Sequence, residues 1–164
     1  MIELAKPPDA AAMAQVLGGW IKATPWMPKL HLPIEDVWFC SSLIDTCEVW
    51  VLRQPTINGF TVTDNAVTGP TETDDTVSGF LARRGDQVQA LYLAPDARGQ
   101  GHGKALLDRV KAGRDRLELW TFQANTRAIA FYRREGFVET ARTDGSGNDE
   151  KLPDLRLVWI GGLR

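Results

Sequence analysis

The stretch Leu-Tyr-Leu-Ala-Pro-Asp-Ala-Arg-Gly-Gln-Gly-His-Gly-Lys-Ala-Leu-Leu, residues 91–107, decides how this sequence is read. It starts as the end of a strand, passes Pro95, places glycines at 99, 101 and 103, and closes on an apolar-faced helix. Glycine lets backbone N–H groups approach a ligand, and a helix N-terminus adds partial positive charge. Together they make a cradle for phosphate. Arg98 and Lys104 add a full charge at either end. Two familiar phosphate loops do not fit. A Walker loop needs Gly, four residues, then Gly-Lys-Ser/Thr, but position 98 is Arg and position 105 is Ala. A dinucleotide fingerprint, Gly-x-Gly-x-x-Gly, fails because its last position falls on Lys104 or Leu106. What remains is Arg98-x-x-Gly101-x-Gly103.

Working outward, residues 77–83 and 87–93 read as two strands joined across Arg84-Gly85-Asp86. Residues 104–114 read as a helix with Leu106, Leu107 and Val110 on one face, and 117–122 as a strand. Asn125 caps a helix that runs to Glu135 and stops at Gly136, followed by strands over 137–142 and 155–160. Toward the N-terminus a short strand over 2–5 precedes Asp9, an expected N-cap. Met13, Val16, Leu17, Trp20 and Ile21 then recur at helical spacing. Residues 24–33 hold three prolines, and a second helix is expected from Pro33 to Ile44 with Val37, Cys40 and Ile44 inward. Residues 48–53 are β-branched and aromatic, a strand pattern. Residues 54–76 read as a long polar connection holding a small hairpin over 60–67. Strands and helices interleaved in this way predict one mixed α/β sheet domain over residues 1–164.

The whole-chain numbers bound the function. A chain of 164 residues, 43% hydrophobic and 24% charged, buries enough surface to fold without a metal or disulfide staple. A net charge of −2 excludes a generally basic nucleic-acid binder. Cys40 and Cys47 make neither a secreted disulfide framework nor a metal site. With no membrane-length apolar run and no cationic, apolar leader, a cytosolic location is expected. The charge is uneven: residues 1–82 carry four basic and ten acidic side chains, residues 83–134 eleven basic and five acidic. The middle third should therefore attract an anionic ligand.

Arg/Gln-x-x-Gly-x-Gly/Ala after a strand resembles the pyrophosphate loop of the GNAT superfamily of N-acetyltransferases. Asn125-Thr-Arg-Ala-Ile-Ala-Phe-Tyr-Arg-Arg-Glu-Gly-Phe137 resembles that superfamily's second signature, Asn-x-x-Ala-x-x-x-Tyr-x-x-x-Gly-Phe, in the right order and spacing. The resemblance implies a mostly antiparallel sheet that splays at two parallel strands, here those ending near Leu93 and Phe122, flanked by about four helices. It implies acetyl-CoA as co-substrate and direct acetyl transfer to a primary amine of a small molecule or peptide. A sensor that binds acyl-CoA without turnover, or transfer of another acyl group, is the alternative. The backbone of Leu91, Tyr92 and Leu93 would pair with the pantetheine arm, and Arg98, Gly99, Gln100, Gly101, His102, Gly103 and Lys104 would hold the pyrophosphate. Asn125 would touch the pantetheine or cap its helix. Tyr132 would be the general acid that protonates the departing thiolate.

The family's strand glutamate is replaced by Trp120, which cannot accept a proton. Glu118, His31 or a water chain stand as substitutes. Trp26, Met27, His31, Trp38 and Trp120 are candidates for the acceptor side, and the acidic loop from Asp144 to Glu150 for attracting a cationic amine. That loop matches a calcium loop only at its first, third and fifth positions, so no metal is expected. The remaining expectations are no nucleic-acid or membrane partner and a monomer or homodimer.

Overall fold

The computed structural model describes residues 1–57, 61–63, 66–68 and 73–162. Strand β1 (Ile2–Leu4) leads into helices α1 (Ala10–Lys22) and α2 (Pro33–Thr46). Strands β2 (Glu48–Ile57), β3 (Thr61–Thr63), β4 (Ala66–Thr68), β5 (Thr73–Arg84) and β6 (Gln87–Leu93) follow. Helix α3 (His102–Lys111), β7 (Arg116–Phe122), α4 (Thr126–Arg134), β8 (Val138–Thr143) and β9 (Asp154–Ile160) complete the order. Seven strands form one sheet in the order β1-β2-β5-β6-β7-β9-β8, and β3 and β4 pair separately. All pairings are antiparallel except β6 with β7. Among the described residues no helix is long and apolar enough to cross a membrane.

The sheet is buried on both faces because its strands carry apolar residues on both. Helices α1 and α2 cover one face, packing Met13, Leu17, Cys40 and Leu43 against Val49, Val51, Phe80 and Ala82. Helices α3 and α4 cover the other, packing Leu106, Leu107, Val110 and Ile129 against Leu81, Leu117, Leu119 and Leu157. Val88 belongs to the second core and Ala90 to the first, although strict alternation would put both on one face. The β5–β6 register slips here, Ala82 pairing with Ala90 and Arg83 with Val88, which leaves Gln89 as an extra residue. A bulge of this kind bends its strand and raises its twist. It falls just beyond Gln87↔Glu118, the β6–β7 pair, and from there the two strands diverge.

Several boundaries differ from the sequence reading. Asp9 precedes α1 but does not cap it. Its carboxylate accepts from the Lys6 N–H at 2.8 Å and from Arg53 Nη2 at 2.8 Å, because Arg53 also holds Glu3 and the three together pin the N-terminus to β2. Helix α3 spans 102–111 rather than 104–114. Gly101, in the left-handed region at φ +81°, starts it, and Gly113 at φ +71° turns the chain after it ends. The polar stretch 54–76 is not one connection. β2 continues to Ile57 and β5 begins at Thr73, their pairing extended through Gln54↔Thr76 and Pro55↔Asp75. Of the hairpin expected over 60–67, the pairing of Val62 with Val67 is present, and Phe60 lies outside the described residues.

Candidate active site

Where β6 and β7 diverge, a cavity of about 110 Å³ opens. Gln89, Leu91 and Tyr92 line it from β6, Trp120, Thr121 and Phe122 from β7, Asn125, Ala128 and Tyr132 from the α4 segment, and Trp20 from α1. Backbone alternation decides which groups face the opening. The Ala94 N–H donates to Ser78 on the β5 side, while the Leu93 carbonyl accepts from Arg98 Nε on the other. Alternation then directs the Leu91 and Leu93 N–H groups into the fork and the Tyr92 N–H toward β5. Tyr92 contributes its ring instead, 5.2 Å from Trp20 and 5.7 Å from Phe80.

The loop after β6 meets the fork at the N-terminus of α3. Among the described residues, none of the N–H groups from Gly99 to Lys104 donates a hydrogen bond within the chain. Gly99 and Gly101 hold φ of +73° and +81°, so their role is conformational. Gly103 is a packing residue: a Cβ there would sit 3.4 Å from the Phe131 ring and 3.5 Å from Leu93. Gln100 turns its amide to the Asp96 carbonyl, and His102 lies 3.2 Å from the Gln54 side chain on β2. The Lys104 ammonium donates to Asp108 at 2.7 Å, so its charge is answered within the helix. Arg98 folds back to Leu93, and its Nη2 is buried without an acceptor. Free N–H groups and an orphaned guanidinium nitrogen fit an anionic group such as the diphosphate of CoA.

Tyr132 is 7% exposed, with its ring packed against Phe131 at 5.1 Å and Phe137 at 5.4 Å. Its hydroxyl makes no hydrogen bond among the described residues, and the residue lines the fork. Burial, and then Tyr92, raise its pKa well above the ordinary phenol value. Tyr92 is pushed up to about 12, by burial first, then by Glu150 and Cys40. Asn125 does two things: its side chain accepts from the Ala128 N–H at 3.2 Å as the cap of α4, and it lines the cavity.

The other sequence candidates divide between the fork, a second groove and the surface. Trp120 lines the fork and is 41% exposed. Glu118 sits at the closed end, where its carboxylate accepts from Arg116 at 2.6 Å, and no carboxylate lines the fork among the described residues. Trp26 packs edge-on to Trp20 at 5.8 Å and to Phe122 at 5.9 Å, closing one wall. Met27 and His31 line a second, larger groove of about 730 Å³ between α1, the turn before α2 and α2 itself. Trp38 is 64% exposed and lines neither cavity. Asp36 and Glu150 also line the groove, and neither carboxylate makes a hydrogen bond or ion pair among the described residues. Burial raises the Asp36 pKa, opposed by His31. Glu150 reaches the groove from the β8–β9 loop and acts electrostatically on Tyr92, so the groove and the fork adjoin. Among the described residues no group of His, Cys, Asp or Glu is placed to hold a metal. Sequence reasoning missed Trp20 and Asp36 as wall residues, because their spacing on α1 and α2 marked nothing beyond helical position.

Comparison with known proteins agrees with this geometry. Residues 45–139 match the family model described as acetyltransferase (GNAT) domain. The chain is 34% identical over 89 residues to the peptidyl-lysine N-acetyltransferase YjaB of Salmonella typhimurium, covering 54% of this chain and 61% of that one. It is 34% identical over 91 residues to the peptidyl-lysine N-acetyltransferase YiaC of Escherichia coli, covering 54% and 60%. The chain thus spans about six-tenths of the curated relatives it matches. In fold it resembles the solution structure of apo YjaB from Escherichia coli, with a TM-score of 0.70 at 21% identity over 98% of this chain and 97% of that one. It also resembles yncA of Salmonella typhimurium, solved with acetyl-CoA, with a TM-score of 0.64 at 18% identity over 98% and 92%. With two linked motifs, the forked sheet and a family model matching more than half its length, this chain belongs to the GNAT acetyltransferase family.

Proposed function

We propose that this chain is an N-acetyltransferase that moves an acetyl group directly from acetyl-CoA to a primary amine, and that the amine is the side chain of a lysine in a polypeptide. The observation that carries it is the convergence, in one fork, of free Leu91 and Leu93 N–H groups, an unpaired Tyr132 hydroxyl and the open phosphate loop. Acetyl-CoA supplies the activated thioester. The loop N–H groups from Gly99 to Lys104 bind its diphosphate, and a β6 N–H donates to the acetyl oxygen as charge gathers there. Tyr132 holds a proton for the departing sulfur, and burial keeps that proton in place across the working pH range. The proton lost by the amine leaves toward solvent, since β7 offers Trp120 in the fork and Glu118 is engaged by Arg116.

The acceptor enters by the adjoining groove. Its walls carry apolar stems, the cations Lys22 and Lys29, and two carboxylates, Asp36 and Glu150, without a hydrogen-bond partner among the described residues. The stems and these carboxylates suit a long aliphatic chain ending in an ammonium. The peptidyl-lysine names of the YjaB and YiaC relatives support the same acceptor class. Thiol release from acetyl-CoA across lysine peptides, free N-terminal peptides, polyamines, aminoglycosides and amino acids tests it. Lysine peptides are expected to give the highest kcat/KM, and Glu150→Gln to raise the KM for the amine severalfold with acetyl-CoA affinity unchanged. Acetyl-CoA binding with no thiol release for any amine would replace this reading with a sensor.

A further inference from the structure

The fork passes through the sheet, and its two mouths differ in chemistry. On β6, Leu91 and Leu93 pack into the α3/α4 core, whereas the Tyr92 ring packs into the α1/α2 core. On β7, Leu117 and Leu119 belong to the α3/α4 core, so alternation turns Trp120 and Phe122 to the other side. The α3/α4 mouth carries Asn125 and Tyr132 and adjoins the start of α3, where Gly103 lies against Phe131 and Leu93. Aromatic rings close the α1/α2 mouth. Among the described residues, Trp20 is the one lining side chain that comes from neither β6, β7 nor the α4 segment. Its indole meets Tyr92 edge-on at 5.2 Å and Trp26 at 5.8 Å, and Trp26 in turn meets Phe122 at 5.9 Å.

This aromatic floor is held from outside the cavity. Thr24 Oγ1 donates to the Trp20 carbonyl at 2.7 Å. The turn that presents Trp26 is closed by the Met27 N–H on the Thr24 carbonyl at 3.1 Å, with Pro25 fixing its second position. Gly19 and Ile21, on either side of Trp20, line the groove instead, so the indole stands as a partition between groove and fork. The space it bounds, about 110 Å³, is small against the roughly 300–1,000 Å³ of a site for a drug-sized ligand.

We infer that Trp20 sets the length of the acyl group this chain transfers, admitting acetyl and turning away longer chains. The inference rests on the acetyl-CoA reading above and deepens it. With CoA on the α3/α4 side and its thioester at the β6 N–H groups, a longer acyl chain extends through the fork onto the Trp20 indole. That ring is wedged between Tyr92 and Trp26 and cannot yield without breaking both contacts, and close-packed sites resist added methylenes. An acetyl group ends short of the floor and is positioned by it.

The test compares acetyl-, propionyl-, butyryl- and hexanoyl-CoA on wild type, Trp20→Phe and Trp20→Ala, each checked by a thermal melt. Two readouts are taken: calorimetric affinity relative to free CoA, which needs no acceptor, and kcat/KM for thiol release with a lysine peptide. One methylene in an apolar pocket is worth about 10- to 200-fold, so wild type should use butyryl-CoA at least about 10²-fold less well than acetyl-CoA. Trp20→Ala should recover about tenfold or more of that ratio and Trp20→Phe a smaller part, with the affinity for free CoA unchanged. Acetyl transfer itself should fall severalfold in Trp20→Ala as the acetyl group loses its wall. A merely structural tryptophan would lower the melting temperature and every rate together, with the acyl ratio fixed, and that result overturns the inference. So does a wild type that uses butyryl-CoA within threefold of acetyl-CoA, which requires no variant. Changed selectivity among amines with an unchanged acyl profile places Trp20 on the acceptor side and also overturns it. Acyl-CoA binding without thiol release in wild type removes the transferase reading alone, because the affinity series still measures the floor. Failure of wild type to bind CoA removes both.

Discussion

Replacing Tyr132 with Phe removes one oxygen from the fork and little else. The ring contacts to Phe131 and Phe137 persist, and the hydroxyl has no hydrogen-bond partner among the described residues to be orphaned. Folding stability should therefore shift by less than about 1 kcal/mol, in either direction. Catalysis should not be so tolerant. Without a positioned acid the thiolate must leave unprotonated or find a proton in water, and loss of a general acid costs about 10²- to 10⁴-fold in rate. That is about 2.7–5.5 kcal/mol of barrier, several times the stability change. The assay is thiol release at saturating acetyl-CoA with the best lysine peptide, alongside calorimetric acetyl-CoA binding and a thermal melt. Since burial holds the Tyr132 pKa above that of an ordinary phenol, the wild-type rate should lose no proton donor below about pH 10. A Tyr132→Phe rate within threefold of wild type, with unchanged acetyl-CoA binding, would refute the acid role.

Asn125→Ala loses the cap of α4 and should cost about 1 kcal/mol, a fall of about 2–4 °C in Tm, whereas Asn125→Ser should retain most of it. Gly145→Ala meets two penalties, a left-handed φ of +85° and a Cβ only 2.3 Å from the Leu152 backbone, and should cost about 3 kcal/mol or more in denaturant unfolding. Gly99→Ala, at φ +73° with open space around its Cβ, should cost only the conformational strain of about 1–2 kcal/mol. The chain's two tyrosines, Tyr92 and Tyr132, both have raised pKa values, so the folded state keeps protons that the unfolded chain gives up near pH 10. Their contribution is intact below pH 10 and is lost as pH rises through about 12, at up to about 1.4 kcal/mol per pH unit for each tyrosine. Melts between pH 9 and about 12 should show that slope roughly halved in Tyr92→Phe.

The parts of this molecule that local backbone chemistry dictates were legible in the sequence. The β6 span, the glycine loop opening on α3 and the Asn125 cap are each written in residues close together along the chain. What the pattern could not show depends on which side chains meet across the fold. Val88, Gln89 and Ala90 read as plain alternation, and only pairing against β5 reveals the extra residue. Arg53 draws Asp9 away from its capping position from 44 residues further along the chain. Arg116 occupies Glu118, and Asp108 answers Lys104, so two groups with the right chemistry are not free to use it. The acidic loop marked Glu150 in the sequence, but that it joins Asp36 in one groove with α1 and α2, more than a hundred residues earlier in the chain, is visible only in the fold.

The central claim is that the β6–β7 fork, together with the loop before α3, receives acetyl-CoA. Backbone amide NMR of the labelled protein, titrated with acetyl-CoA and no acceptor, tests it most directly. The account predicts that the Leu91 and Leu93 amides and those from Gly99 to Lys104 shift together and become protected from exchange, with the Met27–His31 turn much less affected. Saturable binding that shifts the groove residues of α1 and α2 while leaving those amides unmoved would contradict it.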